Sequence, residues 1–194
     1  MTETRGYIFD YGGTLDTGGC HWGKMFWHAY QQASVPVSEP QFREAYVHAE
    51  RTLGSTPVIR PDFTFRQTLE TKLRLQLEAL GLSHSLLGPI ADHLYTSVLR
   101  HTAHSREVLQ QLELPKVLVS NFYGNMPTVL QEFGFEGLFH QVVESAVVGI
   151  RKPDPRIFLL GVEALGLQPD EVTVVGDSYA KDIIPAKAAG CQTI

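Results

Sequence analysis

An acidic side chain follows directly after the first apolar run of the sequence. Residues 7–9 are apolar on both faces, which is typical of a buried parallel strand, and Asp10 comes immediately after them. Gly12 and Gly13 follow, so the backbone can turn sharply beside the carboxylate. In open parallel sheets the carboxyl ends of the strands face the ligand crevice. The sequence therefore predicts that Asp10 lies at such a crevice.

Three later stretches add further polar side chains. Two of them follow apolar runs that resemble the first, and the third is a loop stiffened by prolines. Together they supply a hydroxyl, an amide, an ammonium and two carboxylates, which are groups suited to phosphate esters and hard metal ions. The groups are Ser120 and Asn121 after residues 117–119, Lys152 within the loop 151–155, and Asp177 and Asp182 after residues 172–175.

Asp, Ser, Lys and Asp, in this order on successive loops, resemble the four motifs of the haloacid dehalogenase (HAD) superfamily. The resemblance extends from Tyr7 to Gly190. It implies an α/β fold with a Rossmann-like, three-layer core around a parallel sheet. It also implies an all-helical cap inserted between the first and second core strands. The activity that it implies is that of a HAD-like hydrolase, with phosphatases as the best match.

In phosphatases of this family the first aspartate attacks phosphorus and forms an aspartyl-phosphate. Asp10 matches that position, so the resemblance makes it the nucleophile. Lys152 would cancel the repulsion between the carboxylate and a phosphate dianion. The hydroxyl of Ser120 and the N–H of Asn121 would hold the phosphate oxygens. We therefore expect a small phosphorylated molecule as the substrate.

The resemblance also implies a Mg²⁺ site. Mg²⁺ prefers oxygen ligands in near-octahedral geometry. By resemblance, its protein ligands would be Asp10, the backbone carbonyl of Gly12, and Asp177. Asp182 is expected to support this site through Lys152 or through a water molecule.

Gly12 departs from the family pattern, because phosphatases of the family have a second aspartate there as general acid and base. Such a group typically contributes about 10²–10⁴ in rate, so its absence predicts impaired turnover. A nearby side chain could substitute, and His21 is the first candidate, followed by Asp16 and Lys24. Alternatively, the substrate has a good leaving group, as acyl phosphates do, and needs little help from an acid. In a third reading, the protein binds a phosphorylated ligand with little or no turnover.

Two other HAD activities also lack the second aspartate. Dehalogenases usually have an aromatic residue there and need no metal, whereas this chain keeps Lys152, Asp177 and Asp182. Phosphonatases require a cap lysine that forms a Schiff base. The predicted cap contains Lys24 and Lys72, and the charged neighbours of Lys72 predict an ordinary solvated side chain. Both activities are therefore less favoured than phosphatase activity.

Helical periodicity dominates the region between the first two predicted strands. This pattern divides the chain into a core, residues 1–16 and 105–194, and a helical cap, residues 17–104. The chain stops within the last predicted strand, whereas family members usually continue past it, so we expect either that the last core elements are missing or that the C-terminus is shortened. The predicted helices are 22–33, 38–54, 62–80 and 86–101 in the cap, and 105–112, 126–133, 155–165 and 182–189 in the core. The predicted strands after the first are 116–120, 141–145, 172–176 and 191–194.

The composition limits the classes of partner. The 194 residues carry a net charge of −5 without a basic run, which does not favour nucleic-acid binding. Only two cysteines occur, so we expect neither a disulfide framework nor a zinc site. No apolar run approaches the roughly 20 residues that cross a bilayer, and no signal peptide precedes the first strand. We expect a cytoplasmic monomer or homodimer.

Overall fold

The computed structural model describes residues 2–194, which form a sheet of five parallel strands with helices on both faces. The strand order is β3-β2-β1-β4-β5, so the strand that precedes Asp10 is central. The α/β fold with a parallel sheet is thus confirmed. The strands are β1 (Gly6–Phe9), β2 (Lys116–Ser120), β3 (Gln141–Glu144), β4 (Val172–Val175) and β5 (Gln192–Thr193).

The region between β1 and β2 is helical, as the periodicity predicts, but it holds four α-helices rather than the five predicted before β2: α1 (Trp22–Gln32), α2 (Glu39–Ser55), α3 (Phe65–Ala79) and α4 (Leu87–Gln111). Their action as a cap, and the division of the chain into core and cap, remain predictions. Within residues 2–194 no helix is both long and apolar enough to cross a membrane. The helices that follow β2 are α5 (Met126–Glu132), α6 (Ser145–Val148), α7 (Arg156–Leu165) and α8 (Ile184–Ala188).

Successive residues of β1 face two different hydrophobic clusters, because side chains alternate across a strand. Ile8 belongs to the cluster that includes Phe158 of α7. Phe9 belongs to a larger cluster that continues into the four inserted helices. On the first side α7 approaches closely, since a β-carbon added at Gly161 would lie 2.8 Å from Cδ1 of Ile8. Both faces of the sheet are therefore covered, which explains why the neighbouring strands β1, β2 and β4 are mainly apolar.

Three predicted helix boundaries were wrong. Helix α3 begins at Phe65 rather than at residue 62, because Thr64 caps it and forms a capping box with Gln67. The predicted helices 86–101 and 105–112 are one continuous helix, α4. No glycine or proline interrupts residues 101–105, and the hydroxyl of Thr102 bonds within the helix. The last predicted helix starts earlier, with a π-helical turn at Tyr179–Ile183.

Candidate active site

The predicted nucleophile and the predicted cation form a buried ion pair at the carboxyl end of β1. The ammonium of Lys152 lies 2.6 Å from Oδ1 of Asp10 and 2.7 Å from Oδ1 of Asp182. The exposed fractions of these three residues are 3%, 6% and 2%. One lysine thus bridges two carboxylates that come from opposite ends of the sequence. Buried charges of this kind require partners, because an unpaired one loses its hydration without compensation.

Burial also changes the acidity of this pair. Desolvation raises the pKa of Asp10 to about 6, although the Lys152 ammonium acts in the opposite direction. Burial by itself lowers the pKa of Lys152, but the two carboxylates raise it above its ordinary value. At neutral pH the lysine is therefore charged, and Asp10 is mainly in the carboxylate form that a nucleophile requires.

The tight turn that follows β1 lies against the segment that follows β4. Gly13 has a φ of 105°, and a β-carbon added there would overlap the carboxylate of Asp177, so this position requires glycine. The hydroxyl of Thr14 donates to Oδ2 of Asp10 at 3.2 Å and accepts the N–H of Asp177 at 3.0 Å. Thr14 was not predicted as a site residue. Its position in the turn that follows Asp10 could have identified it as a site residue from the sequence alone.

Three carboxylates meet at this edge of the sheet. Asp10, Asp177 and Asp182 each offer an oxygen, and these oxygens lie within 4.8 Å of one another. A set of hard oxygen donors of this kind fits Mg²⁺, and Gly12 lines the same cavity. Burial and the Asp182 carboxylate raise the pKa of Asp177, as expected where like charges crowd together. Besides its contact with Lys152, the Asp182 carboxylate accepts the N–H of Ser178 through Oδ2 at 3.0 Å.

The predicted phosphate-binding residues lie at the end of β2, on the same cavity. Ser120 is the last residue of the strand and is almost fully buried. The side chain of Asn121 makes two hydrogen bonds with the backbone of Lys152. It accepts the N–H at 2.9 Å and donates to the carbonyl at 3.1 Å. Asn121 therefore positions the loop that carries the lysine.

The candidates for the missing acid and base occupy different positions. Asp16 and His21 line the cavity that contains Asp10, whereas Lys24 lines a neighbouring one. His21 is exposed, and its Nδ1 accepts the N–H of Gly23 at the start of α1. Asp16 is buried, and its oxygens accept the N–H of Gly13 at 2.7 Å and the indole N–H of Trp22 at 3.0 Å.

The four inserted helices supply the wall of the cavity that faces these loops. The prediction that Lys72 is solvated was wrong, since only 9% of this residue is exposed. Its ammonium pairs with Glu50 of α2 and lies over the rings of Phe26 and Tyr46, at 4.9 and 4.8 Å from their centroids. Lys72 lies seven residues, or about two helical turns, after the buried Phe65, which places it on the inner face of α3. That spacing was a usable signal for its burial.

Comparisons with known proteins identify a family of similar sequences. Residues 4–190 match the sequence model of the haloacid dehalogenase-like hydrolases. A glyceraldehyde 3-phosphate phosphatase of Methanopyrus kandleri is 42% identical over 65 residues, which cover 34% of this chain and 28% of that protein. The haloacid dehalogenase-like hydrolase domain-containing protein 3 of Mus musculus is 32% identical over 164 residues, which cover 80% of this chain and 65% of that protein. The matches thus span less than two thirds of either relative.

A solved structure shows the same fold. The L-2-haloacid dehalogenase of Xanthobacter autotrophicus superposes with a TM-score of 0.62 at 20% identity, covering 98% of this chain and 76% of that one. At that identity the likeness concerns the fold alone. Together with the family match over residues 4–190, it leads to one conclusion: the chain belongs to the haloacid dehalogenase-like hydrolases.

Proposed function

We propose that this hydrolase is a Mg²⁺-dependent phosphatase that acts on a small phosphorylated metabolite through an aspartyl-phosphate at Asp10. The observation that carries the proposal is the sharing of Lys152 between Asp10 and Asp182, 2.6 and 2.7 Å away, beside Asp177. Relatives named as phosphatases support the same chemistry. We further propose that the partner is this small molecule, rather than a nucleic acid or a membrane, and that the protein is a monomer or a homodimer.

In the proposed reaction a carboxylate oxygen of Asp10 bonds to phosphorus while the bond to the leaving oxygen breaks. Water then attacks phosphorus, releases inorganic phosphate and restores the carboxylate. Lys152 reduces the repulsion that the incoming phosphate meets, and Ser120 and the Asn121 N–H orient its oxygens. Mg²⁺, held by Asp10, the Gly12 carbonyl and Asp177, would supply further neutralisation of the phosphate charge.

The leaving oxygen needs a proton, and the attacking water must lose one. Gly12 has no side chain for either transfer. His21 is the preferred substitute, because its imidazole is exposed at the cavity while both oxygens of Asp16 accept hydrogen bonds from other groups. An imidazole ring can both donate and accept a proton, as these two transfers require.

A second candidate function is binding of a phosphorylated ligand with little or no turnover. The observation that favours it is Gly12, which leaves the predicted acid and base position without a side chain. Phosphonatase activity is disfavoured by Lys72. Burial by itself lowers the pKa of this lysine, but Glu50, Tyr123 and Tyr46 together raise it above its ordinary value, so the neutral amine that forms a Schiff base is scarce.

The test is a panel of phosphate monoesters, acyl phosphates and p-nitrophenyl phosphate with Mg²⁺, applied to the wild type and to Asp10→Asn. We expect turnover in the wild type, loss of turnover in Asp10→Asn, and a phosphorylated wild-type protein after an acid quench. Binding of these esters without release of phosphate would instead support the second function.

A further inference from the structure

One ion pair in the wall of the cavity has no part in the reaction described above. Lys72 of α3 pairs with Glu50 of α2, and both residues line the cavity that contains Asp10. Oε2 of Glu50 also accepts a hydrogen bond from the hydroxyl of Tyr123 at 3.4 Å. The lysine side chain is 11% exposed and the glutamate side chain 33%, so the glutamate is the more accessible of the two to a ligand.

The position of the pair is unusual for charged residues. Lys72 lies on the inner face of α3, where apolar side chains such as Leu69 and Leu73 are buried. A buried ion pair is often no more stabilising than well-packed apolar side chains of the same size. The fold alone therefore does not require these charges. A requirement for ligand recognition accounts for them better.

The chemistry of the pair selects the kind of group that it can recognise. The ammonium donates hydrogen bonds and the carboxylate accepts them, so together they suit a hydroxyl group, which does both. A second anionic group on the substrate would meet the Glu50 carboxylate in a partly desolvated site and be repelled. Lys181 and Arg151 also line the cavity, but both are exposed, where water and salt screen their charges.

The aromatic side chains beside the pair support the same kind of ligand. Phe26 and Tyr46 lie next to Lys72, and the ring of Trp22 stacks at a tilt on Phe26, with 5.6 Å between their centroids. All three line the cavity. Flat apolar surfaces of this kind can pack against the C–H groups of a carbon chain or ring, while the ion pair binds its hydroxyls.

We infer that the Lys72–Glu50 pair is a specificity site for the uncharged hydroxyl groups of a phosphorylated polyol or sugar, and that it disfavours substrates that carry a carboxylate in addition to the phosphate. This inference rests on the proposed phosphatase function, since it assigns the substrate class of the same cavity. Lys72 and Glu50 are thereby binding residues and take no part in bond making or breaking.

The experiment compares kcat/KM for glycerol 3-phosphate, glucose 6-phosphate, phosphoglycolate and p-nitrophenyl phosphate. We expect the wild type to prefer the two hydroxylated esters to phosphoglycolate. In Glu50→Gln that preference should fall by about tenfold or more, which corresponds to about 1.4 kcal/mol. p-Nitrophenyl phosphate, which has no hydroxyl chain, should change far less. Glu44→Gln is the matched control, because Glu44 is an exposed residue of the same helix.

A double variant covers the case in which Glu50→Gln, which leaves a buried cation unpaired, does not fold. Glu50→Leu with Lys72→Met makes the wall apolar and should lose the preference for hydroxylated esters. Binding is measured separately as the ligand-induced rise in melting temperature of Asp10→Asn, with and without the substitutions at 50 and 72. A wild type that favours phosphoglycolate, or a preference unchanged in both variants, would overturn the inference.

The two proposals fail in different ways. If the wild type hydrolyses none of the esters, the phosphatase function fails, and the melting measurements still decide the specificity site. Tighter binding of the hydroxylated esters that depends on Glu50 would then support the site without catalysis. If the wild type hydrolyses the esters but the variants keep its ranking of substrates, the phosphatase function stands and the specificity site is wrong.

Discussion

A β-carbon added to Gly12 would lie 3.7 Å from Nε1 of Trp22, which is an ordinary van der Waals separation. The φ of Gly12 lies outside the left-handed region, unlike that of its neighbour Gly13. The turn therefore requires glycine at position 13 but has room for a side chain at position 12. The absence of an acid and base at Gly12 is a chemical difference from the family pattern rather than a demand of the backbone.

Gly12→Asp should consequently fold and raise the turnover of an unactivated phosphomonoester. The upper limit is the roughly 10²–10⁴ that general acid and base catalysis contributes. The gain should be smaller if His21 already transfers protons. Steady-state turnover of the wild type, Gly12→Asp, His21→Ala and the double variant measures both effects. A loss in His21→Ala that Gly12→Asp restores would identify the substitute.

The control for this series is Gly88→Asp, which adds the same side chain at a position with nothing within 4 Å. It should leave turnover unchanged. If Gly12→Asp folds and binds Mg²⁺ without any gain, and His21→Ala loses nothing, the phosphatase proposal is contradicted.

Mg²⁺ should stabilise the folded protein through Asp10 and Asp177. A ligand at one hundred times its Kd adds about 2.7 kcal/mol to the free energy of unfolding if it binds only the folded state. The melting temperature should therefore rise with Mg²⁺ in the wild type and much less in Asp177→Asn. Asp62→Asn, in which an exposed carboxylate is removed, should respond like the wild type. Equal responses of the wild type and Asp177→Asn would refute the metal site.

Lys152→Met should destabilise the protein and abolish binding of tungstate as a phosphate mimic. Although Lys152 lies in a loop, it is buried between two carboxylates, and removal of one partner from such a pair costs about 3–5 kcal/mol. The loss of stability should shrink as the pH falls, because burial raises the pKa of Asp10 to about 6 and its protonation removes one unpaired charge.

Urea unfolding at pH 7 and pH 5 measures this effect, with Lys187→Met as the control at an exposed lysine. A variant of Lys152 that is as stable as the wild type at pH 7 would show that the bridge contributes nothing to folding. A variant that still binds tungstate normally would show that the lysine is not part of the phosphate site.

Asp16 should make the stability of the protein decrease as the pH rises. Burial raises the pKa of this carboxyl group to about 8 in the folded state, whereas an unfolded chain ionises it near pH 4. Between these two pKa values the unfolded state binds fewer protons than the folded state. The contribution of Asp16 to the free energy of unfolding is therefore complete below pH 4 and is lost as the pH approaches 8. The slope from this group alone is about 1.4 kcal/mol per pH unit.

Asp16→Asn removes the titrating group, so its free energy of unfolding should vary less steeply between pH 5 and pH 7 than that of the wild type. The comparison concerns slopes, because the amide also disturbs the hydrogen bonds from Gly13 and Trp22 and lowers stability at every pH. Parallel slopes for the two proteins would show that Asp16 is already ionised in the folded state.

The sequence alone was sufficient for the fold class and for the convergence of the predicted motif residues on one cavity. Apolar runs of strand length predict buried parallel strands, and the carboxyl ends of such strands meet at one edge of a sheet. Asp10, Ser120 and Asp177 each lie at the carboxyl end of a strand, so their proximity could be predicted without coordinates. The start of α2 at Glu39 was also predictable, since its capping box is local.

Helix boundaries were predicted less reliably where two candidate capping residues lie close together in the sequence. Asp62 and Thr64 both precede the apolar face of α3, and only the capping hydrogen bonds of Thr64 and Gln67 decide where the helix starts. The continuity of α4 depends on residues that stay buried on either side of residues 101–105, such as Val98 and Leu109. Burial of this kind is set by the packing of neighbouring elements.

Only the tertiary structure decided which charges meet. Lys152 lies 142 residues from Asp10 and 30 residues from Asp182 along the chain, yet it bridges both. Lys72 is buried because α2 supplies Glu50 opposite it, and a lysine without that carboxylate would be expected to reach water. Sequence spacing fixes the face of its own helix on which a side chain lies, but the partner across a packed interface is set by how whole helices and strands pack together.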